Sequence, residues 1–117
     1  MSGEKDLARL LAGLSPVLDP VEYRFDCVAE APPLDDAFAL IREAEGVTVI
    51  RPGSGWARIV LGVHSSLEAV GLTACVAEAL ATRGIGANIV AAMHHDHVFV
   101  PWDRRDEALT AVLSLSR

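Results

Sequence analysis

The sequence predicts an α+β fold of the ferredoxin-like type (βαββαβ), arranged as two tandem halves of which the first is degenerate. Residues 56–117 show the element order β-α-β-β-α, which lacks only a final strand to complete a split βαβ unit. Residues 1–55 repeat the order helix, strand and short strand closed by proline, as a degenerate tandem duplication would. The flexible stretch Gly53-Ser54-Gly55 is the natural boundary. We therefore expect a truncated half over residues 1–55 and a fuller domain over residues 56–117.

The composition favours a small folded protein and argues against two classes of partner. The chain has 117 residues, of which 51% are hydrophobic, enough to fill the core of one compact domain or two very small ones. Its 10 Lys and Arg against 16 Asp and Glu leave a net charge of −6, which repels phosphate backbones and anionic lipids. Aromatic residues make up only 5%, too few for a platform on which bases stack. We therefore expect no nucleic acid and no membrane among its partners.

The N-terminal segment and the cysteines predict a cytoplasmic location. Charged residues interrupt the apolar core that a signal peptide needs, namely Glu4, Lys5, Asp6 and Arg9. No apolar run approaches the ~20 residues that span a bilayer. Cys27 and Cys75 lie in apolar stretches, which predicts buried, inert thiols rather than a disulfide framework or a zinc site.

Four elements are predicted in the first half. Leucines recur at helical spacing between residues 7 and 14 and predict an amphipathic helix. Strict alternation of apolar and polar residues over 21–28 predicts a half-buried strand. After Pro32-Pro33, an aspartate cap at Asp35 or Asp36 predicts a helix over the apolar residues 38–41 that ends at Gly46. Residues 47–50 then form a short strand that stops at Pro52.

Five elements are predicted in the second half. Residues 56–63 are apolar enough for a central strand, which His64 ends. Ser65 followed by Glu68 is a capping box and predicts a helix from Ser65 to Arg83. Residues 85–93 predict a second strand, nearly uncharged and at an edge of the sheet. A tight reversal at residues 94–96 leads into a strand over 97–100, and Asp103 begins the last helix.

Three segments, in order along nearly the whole chain, resemble one family. They are Ser2-Gly-Glu-Lys-Asp-Leu7, Val63-His-Ser-Ser-Leu-Glu-Ala-Val-Gly-Leu72 and His95-Asp-His-Val-Phe-Val-Pro101. Together they resemble the ACT domain family, and more narrowly the small bacterial double-ACT proteins related to the CASTOR-type arginine sensors. The resemblance implies an ACT fold and a regulatory, non-catalytic protein that binds a small molecule, most often an amino acid, at an interface between ACT units.

The predicted topology brings the candidate ligand-binding residues to one edge of the sheet. The strand that ends at His64 and the turn before His97 should be neighbours, with the helix that begins at Ser65 between them. Unpaired N–H groups at that helix N-terminus favour the carboxylate of an amino acid. Its ammonium group needs an acceptor, for which Glu68, Asp96, Asn88 and the carbonyl groups of residues 85–91 are the candidates. The full predicted set is His64, Ser65, Ser66, Leu67, Glu68, Asn88, Ile89, His94, His95 and Asp96.

Each of these residues also has a simpler structural role. A helix cap explains Ser65 and Glu68, a turn explains Asn88, and the hairpin reversal explains Asp96. The histidines could bind a transition metal if the turn folds them inward, but they follow no standard ligand motif. Neighbouring His and Ser side chains at a strand end point apart, which argues against a nucleophile and its base. No cofactor, no metal and no catalytic residue is therefore predicted.

Two functions from different classes remain open. One is a sensor that binds an amino acid, and the other is an assembly module that pairs sheet edges without a ligand, with a histidine-based metal protein as a further alternative. In the first two, the apolar edge strand over residues 85–93 favours a homodimer. Histidine titration predicts that binding or assembly changes between about pH 5 and 7. Because no Arg or Lys lies between Arg58 and Arg83, neutral or cationic amino acids should bind better than aspartate or glutamate.

Overall fold

The computed structural model describes residues 3–116 and contains three α-helices and one antiparallel sheet of six strands. The elements in chain order are α1 (Leu7–Ala12), β1 (Pro16–Val28), β2 (Ala39–Glu43), β3 (Gly46–Pro52), β4 (Trp56–Leu61), α2 (Leu72–Thr82), β5 (Asn88–Ala91), β6 (Asp96–Pro101) and α3 (Arg105–Leu113). The strand order is β2-β3-β1-β4-β6-β5. This mixed architecture agrees with the predicted ferredoxin-like fold class.

The long strand β1 supplies the strand that the second half lacks. Its first residues pair with β4, beginning with Pro16 opposite Leu61. The register shifts between Leu18 and Glu22, and the rest of β1 then pairs with β3 as far as Val28. The order β1-β4-β6-β5 is that of a complete split βαβ sheet, with its final strand taken from the N-terminal half. The two halves therefore share one strand and one sheet.

The helices cover one face of this sheet and enclose an aliphatic core. The alternation along β4 sends Ala57, Ile59 and Leu61 to this face. Helix α1 adds Leu10, and α2 adds Val76 and Leu80. Leu10 follows the leucine spacing predicted for α1. In α2 the predicted apolar face is wrong except for Leu80, because Val70 and Ala77 are exposed and the helix buries Leu72, Val76 and Leu80 instead. Among residues 3–116, no helix is long and apolar enough to cross a membrane.

The opposite face carries a second, aromatic core because the sheet curls. β2 and β6 lie four places apart in the sheet, which is about 19 Å in a flat sheet with its usual strand spacing. Phe38, directly before β2, nevertheless packs on His97 of β6 with ring centroids 4.9 Å apart. The side chains inside the curl are Tyr23, Phe25, Phe38, Trp56 and Phe99. The first half thus folds over the face that the helices leave open.

One predicted helix in the first half is wrong. A 3₁₀ turn at Leu34–Asp36 and the strand β2 replace it. Gly46 does not end a helix but begins β3, with a φ of +146° at the hairpin between β2 and β3. The short apolar run over residues 38–41 is compatible with either a helical or a strand periodicity. Strand pairing with β3 and the burial of Phe38 among aromatic rings decide in favour of the strand.

The second predicted helix begins later than expected. α2 starts at Leu72, and residues 65–71 form a loop that ends at Gly71, whose φ is +98°. Ser65 is not a helix cap, because its hydroxyl donates to a carboxylate of β6 and its backbone lies in a bridge with Glu4. The predicted strand over 85–93 is shortened to Asn88–Ala91, although it does form an edge of the sheet.

Two smaller expectations also change. The last helix begins at Arg105, after a 3₁₀ turn at Trp102–Arg104, rather than at Asp103. Cys27 is exposed at the end of β1 and Cys75 is partly buried, so only Cys75 approaches the buried environment predicted for both thiols.

Candidate functional site

All three segments that carry the family resemblance meet at one place. Glu4, from the N-terminal segment, forms a parallel bridge with Ser65 in the loop between β4 and α2. The Ser65 hydroxyl donates to Oδ2 of Asp96, the first residue of β6, at 3.2 Å. Ser2 lies outside the described residues. The N-terminal segment, the loop and the β6 end are thus joined through Ser65.

A small cleft opens beside this contact. Its volume is about 80 Å³, and its lining comes from the loop, the start of α2 and the facing ends of β5 and β6. The lining residues are Ser65, Ser66, Leu67, Ala69, Leu72, Thr73, Ala91 and Asp96. The cleft therefore lies at the sheet edge predicted from the topology.

Asp96 is the main charged group of the cleft. It is only 9% exposed, and among residues 3–116 its one side-chain hydrogen bond comes from Ser65. None of the ion pairs formed within this range includes it. A carboxylate offers about four acceptor positions, and burying a charge without compensation is costly. Asp96 therefore has acceptor positions left for hydrogen bonds from a cationic group in the cleft.

The N-terminus of α2 forms the opposite wall. Leu72 and Thr73 line the cleft, and the helix has Gly71 at its N-cap with no side-chain hydrogen bond to the first turn. The N–H groups of that turn have no partner within the helix, and the helix dipole gives them a partial positive charge. The cleft thus has a negative wall at Asp96 and a positive wall at α2.

Glu68 does not line the cleft. Its carboxylate forms an ion pair with Lys5 at 2.6 Å on an exposed surface. The hydrogen bond and the charge of Lys5 lower the pKa of Glu68 below its usual value. Of the two acidic residues predicted to accept the ammonium group, only Asp96 is free of a cationic partner within residues 3–116.

The histidines lie near the cleft without lining it. The rings of His64 and His94 approach to 5.1 Å between centroids, as the predicted neighbourhood requires, and His94 lies 6.4 Å from His95. Within the described part of the chain, no three His, Cys, Asp or Glu side chains are grouped so that they could hold a metal ion. This arrangement gives the metal-binding alternative no support.

Asn88 and Ile89 lie away from the other candidates. Asn88 begins β5 opposite Phe99, whereas the cleft residue Ala91 ends β5 opposite Asp96. Three residues along a strand span about 10 Å, and positions 88 and 91 point to opposite faces. Ile89 packs into the helix-side core. Asn88 and Ile89 are therefore not part of the cleft, because β5 runs away from it.

Sequence reasoning missed Glu4, Leu72 and Thr73. Glu4 reaches the loop through a long-range backbone bridge, for which no local signal exists. Leu72 and Thr73 were assigned to the middle of a helix. Gly71 carried the usable signal, because a glycine after several polar and small residues permits the positive φ that precedes α2.

A second polar cluster lies inside the curl. Arg58 donates from Nε and Nη2 to Oδ2 of Asp19 at 3.0 and 2.7 Å, and Nη1 lies 2.8 Å from Nδ1 of His97. The Tyr23 hydroxyl donates to the same Asp19 atom at 2.6 Å. The guanidinium also stacks on Phe38, 4.7 Å from the ring centroid. This network links β1, β4 and β6 to the segment before β2.

Burial and hydrogen bonds shift the pKa of Asp19 in opposite directions. Burial alone would raise the pKa of Asp19, but hydrogen bonds from Tyr23, the Val21 N–H and Arg58 together hold it below its usual value. Burial raises the pKa of Tyr23, and the bond to Asp19 adds to the effect. Both oxygens of Asp19, the Tyr23 hydroxyl and the Arg58 guanidinium already have partners, which favours a structural role for the network.

A larger cavity, of about 590 Å³, lies at the mouth of the curl. It is lined by Tyr23, Asp35, Asp36, Ala37, Phe38, Arg51 and Pro52. Asp35 and Asp36 are exposed to solvent, and Arg51 already donates to Asp26 at 2.9 Å. The cavity is larger than the cleft at Asp96, yet it contains no buried charge in need of a partner.

Comparisons with known proteins agree with this fold. The ACT domain family matches the chain twice, over residues 2–54 and over residues 53–114. A protein of unknown function from Vibrio cholerae, described as a possible transport protein, is 36% identical in sequence. Its crystal structure superposes with a TM-score of 0.83 and covers 97% of this chain and 98% of its own.

A more distant crystal structure shows likeness of fold alone. It is that of a protein from Agrobacterium tumefaciens, 17% identical, with a TM-score of 0.66 over 82% of this chain and 84% of its own. No curated protein matches the chain significantly. ACT domains are generally regulatory domains that bind small molecules. With both halves matched and a near full-length relative of the same fold, this chain belongs to the ACT domain family.

Proposed function

We propose that the protein is a non-catalytic sensor that binds an amino acid in the cleft between Asp96 and α2. The observation that carries the proposal is Asp96, a carboxylate nine-tenths buried whose one side-chain partner within residues 3–116 is the Ser65 hydroxyl. Such a group is stabilised when a cation binds to it. The ammonium group of an amino acid supplies that cation.

The opposite wall fits the other end of an amino acid. The uncapped N–H groups at the start of α2 bind the α-carboxylate, as helix N-termini do for anions. Both charges of the zwitterion then have a partner of opposite sign. The small side chains of Ala69 and Ala91 leave the backbone accessible to the ligand between the two walls.

The size of the cleft supports binding at an interface between two copies. A cavity of about 80 Å³ is well below the ~300–1,000 Å³ of usual ligand pockets, so it holds the charged head of an amino acid and leaves the side chain outside. Leu67, which lines the cleft, is exposed, and so are two apolar residues that follow lining residues closely in the chain, Val70, which is 83% exposed, and Met93. In our proposal a second copy covers these residues and the ligand side chain, which makes the protein a ligand-linked homodimer.

The charges around the cleft favour neutral or cationic amino acids. Lys5, which reaches the loop from the N-terminal segment, is already paired with Glu68. A second carboxylate on the ligand would lie close to Asp96 without a cationic partner. The resemblance to arginine sensors points in the same direction. Both cysteines are free thiols, which fits the reducing cytoplasm where we propose that the sensor works.

The test is a thermal-shift screen of the twenty amino acids, followed by calorimetry with those that stabilise the protein. At a hundredfold excess over its dissociation constant a ligand adds about 2.7 kcal/mol to the free energy of unfolding. Asp96→Asn should weaken binding about tenfold or more, because it removes the charge that faces the ammonium group. Asp103→Asn, at an exposed position far from the cleft, is the matched control. Equal binding by both variants, or tightest binding by glutamate, would contradict the proposal.

Light scattering separates the sensor from an assembly module. Both edge strands, β2 and β5, are open to pairing, so a ligand-independent dimer is the second candidate function. A dimer that forms equally with and without amino acids, in a protein that none of the twenty stabilises, would favour the module. A monomer at micromolar concentration under all conditions would contradict both.

A further inference from the structure

The loop that holds Ser65 has little structure of its own. Residues 62–71 contain no helix or strand, although they form the rim of the cleft. At the start of the loop, the Gly62 and Val63 N–H groups donate to the carbonyls of Ser15 and Leu14. Ser66 closes a short turn by accepting from the N–H groups of Glu68 and Ala69. The Ser65 backbone therefore depends on another segment for its position.

That segment is the N-terminal arm, which we define as Gly3–Asp6. The Glu4 N–H donates to the carbonyl of His64 at 3.0 Å, and the Glu4 carbonyl accepts from the Ser66 N–H at 2.9 Å. These two bonds lie on either side of Ser65 and form a single rung of parallel sheet. They fix the orientation of the residue that donates to Asp96.

Gly3 allows the arm to lie directly on the loop backbone. A Cβ atom at this position would lie 2.6 Å from the carbonyl carbon of Ser65 and 2.7 Å from both the His64 oxygen and the Ser66 nitrogen. These atoms belong to the backbone and cannot move aside as a flexible side chain would. Any larger residue must therefore push the arm away from the loop.

The two ends of the arm are held separately. Toward the loop, Lys5 pairs with Glu68 at 2.6 Å. Toward the body of the protein, Asp6 caps α1 by accepting from the Arg9 N–H at 3.1 Å, and Leu7 packs next to Gly71. The arm is thus stretched between a helix that is anchored in the core and the rim of the cleft.

We propose that the N-terminal arm is the positioning element of the amino-acid site, and that arm docking and ligand binding stabilise each other. This inference rests on the proposed function and goes further by assigning roles to Gly3, Glu4 and Lys5. The arm holds Ser65 and Asp96 in their binding arrangement, and a ligand on Asp96 in turn holds the loop against the arm. Thermodynamic linkage requires the two effects to be equal in size.

The test compares Gly3→Ala with Gly13→Ala, a matched control whose Cβ meets only the Arg9 carbonyl at an ordinary 3.4 Å. Amide hydrogen exchange of Ser66 measures arm docking without any ligand, and calorimetry with L-arginine and L-leucine measures binding. We expect Gly3→Ala to undock the arm, so that Ser66 exchanges at least about tenfold faster and close to the rate of an unprotected amide, while core amides such as that of Val98 stay protected. Amino-acid binding should then weaken, because the binding-competent fraction becomes small. Gly13→Ala should change neither.

The outcomes separate this inference from the function on which it rests. Unchanged Ser66 exchange in Gly3→Ala, or faster exchange with unchanged affinity, would overturn the inference while the sensor proposal stands. A wild-type protein that binds neither amino acid would overturn both.

A charge exchange tests the ion pair of the arm. Lys5→Glu should speed Ser66 exchange, and the double variant Lys5→Glu with Glu68→Lys should restore it. Restoration supports a positioning role, because a general loss of stability would not be repaired by reversing both charges. If the double variant does not restore the protection of Ser66, the ion pair does not contribute to the docking of the arm.

Discussion

At the scale of single residues, Arg58 holds the interior of the curl together. Its side chain is 17% exposed and that of its partner Asp19 only 10%, so this ion pair is largely removed from solvent. Burying an ion pair is costly, but removing one partner costs more because the remaining charge stays buried. Removing Arg58 should therefore destabilise the protein mainly because the Asp19 carboxylate would stay buried without a cation.

Arg58→Met should lower the free energy of unfolding by about 3–5 kcal/mol, since it keeps the apolar stem and leaves the Asp19 carboxylate without its cation. Urea denaturation measures the change. The exposed Arg42→Met serves as the control and should shift stability by no more than about 0.5 kcal/mol. A loss of similar size in both variants would show that the buried pair has no special role.

His97 makes the same network sensitive to pH. Arginine can only donate, so Nδ1 of His97 must accept from Arg58 and the imidazole must be neutral. Burial lowers the pKa of His97 below 6.5, the positive charges of Arg58 and His95 act in the same direction, and the neighbouring Asp96 opposes them. The unfolded chain then takes up a proton at a higher pH than the folded protein does.

The free energy of unfolding should therefore fall as the pH drops from about 7 through 6.5 toward the lowered pKa of His97. Above this window the contribution of neutral His97 is fully present. Urea denaturation at pH 7.5 and 5.5 measures the loss, and His97→Gln, which has an acceptor but does not titrate, should lose less. An equal loss in wild type and variant would assign the pH dependence to other groups.

At the scale of elements, the helices and strands that the sequence predicted correctly are those with a clear hydrophobic periodicity. The leucine spacing of α1 and the alternation in β1 are local patterns that tertiary structure then used. The prediction of a helix in the β2 region was wrong, because its short apolar run is compatible with both helical and strand periodicity. The aromatic core that favours the strand consists of residues distant in sequence. Periodicity cannot distinguish such cases.

The candidate site was predicted in the same uneven way. The topology correctly placed Ser65 near Asp96, since strand order determines which ends are neighbours. The capping box at Ser65 and Glu68 was wrong, because Ser65 has a partner on β6 and Glu68 has one on the arm. A local motif competed here with long-range contacts that one sequence does not reveal. The assignment of the cleft residues to ligand binding stays a prediction.

Gly46 tests the hairpin that replaced the predicted helix. Its φ of +146° is unfavourable for other residues, and a Cβ would lie 2.8 Å from the Val28 carbonyl oxygen. Gly46→Ala should lower the free energy of unfolding by about 2–3 kcal/mol through backbone strain and this contact. Gly86→Ala, with no atom within 4 Å of the added Cβ, is the control. Thermal denaturation compares the two, and equal stability would contradict the hairpin geometry.

At the scale of the whole molecule, the shared strand β1 makes the halves interdependent. β1 pairs with β3 in one half and with β4 in the other. Leu10 and Leu14, which precede β1, also lie in the core of the second half. The two family matches meet at residues 53–54, next to the boundary predicted between residues 55 and 56, but no boundary between two cores lies there.

A fragment of residues 56–116 should consequently fail to fold, because it lacks the strand beside β4 and the leucines before β1. Circular dichroism with urea titration should show no cooperative transition. A circular permutant opened at Ser54 is the control. In it a short linker joins residue 116 to residue 3, and α1 already packs against the final turn at residues 114–116. It should unfold cooperatively, and a stable fragment would contradict the shared core.

The two tryptophans lie on opposite sides of the curled sheet, and this gives the protein two independent fluorescent reporters. Trp56 lies among the aromatic rings inside the curl, 5.7 Å from Phe25. Trp102 packs against the helix-side core, with the Arg105 guanidinium 3.9 Å above its ring. In a Trp102→Phe protein all indole emission reports on the curl, and in a Trp56→Phe protein it reports on the helix-covered core. Because β1 joins both cores, the two emission signals should change at the same denaturant concentration.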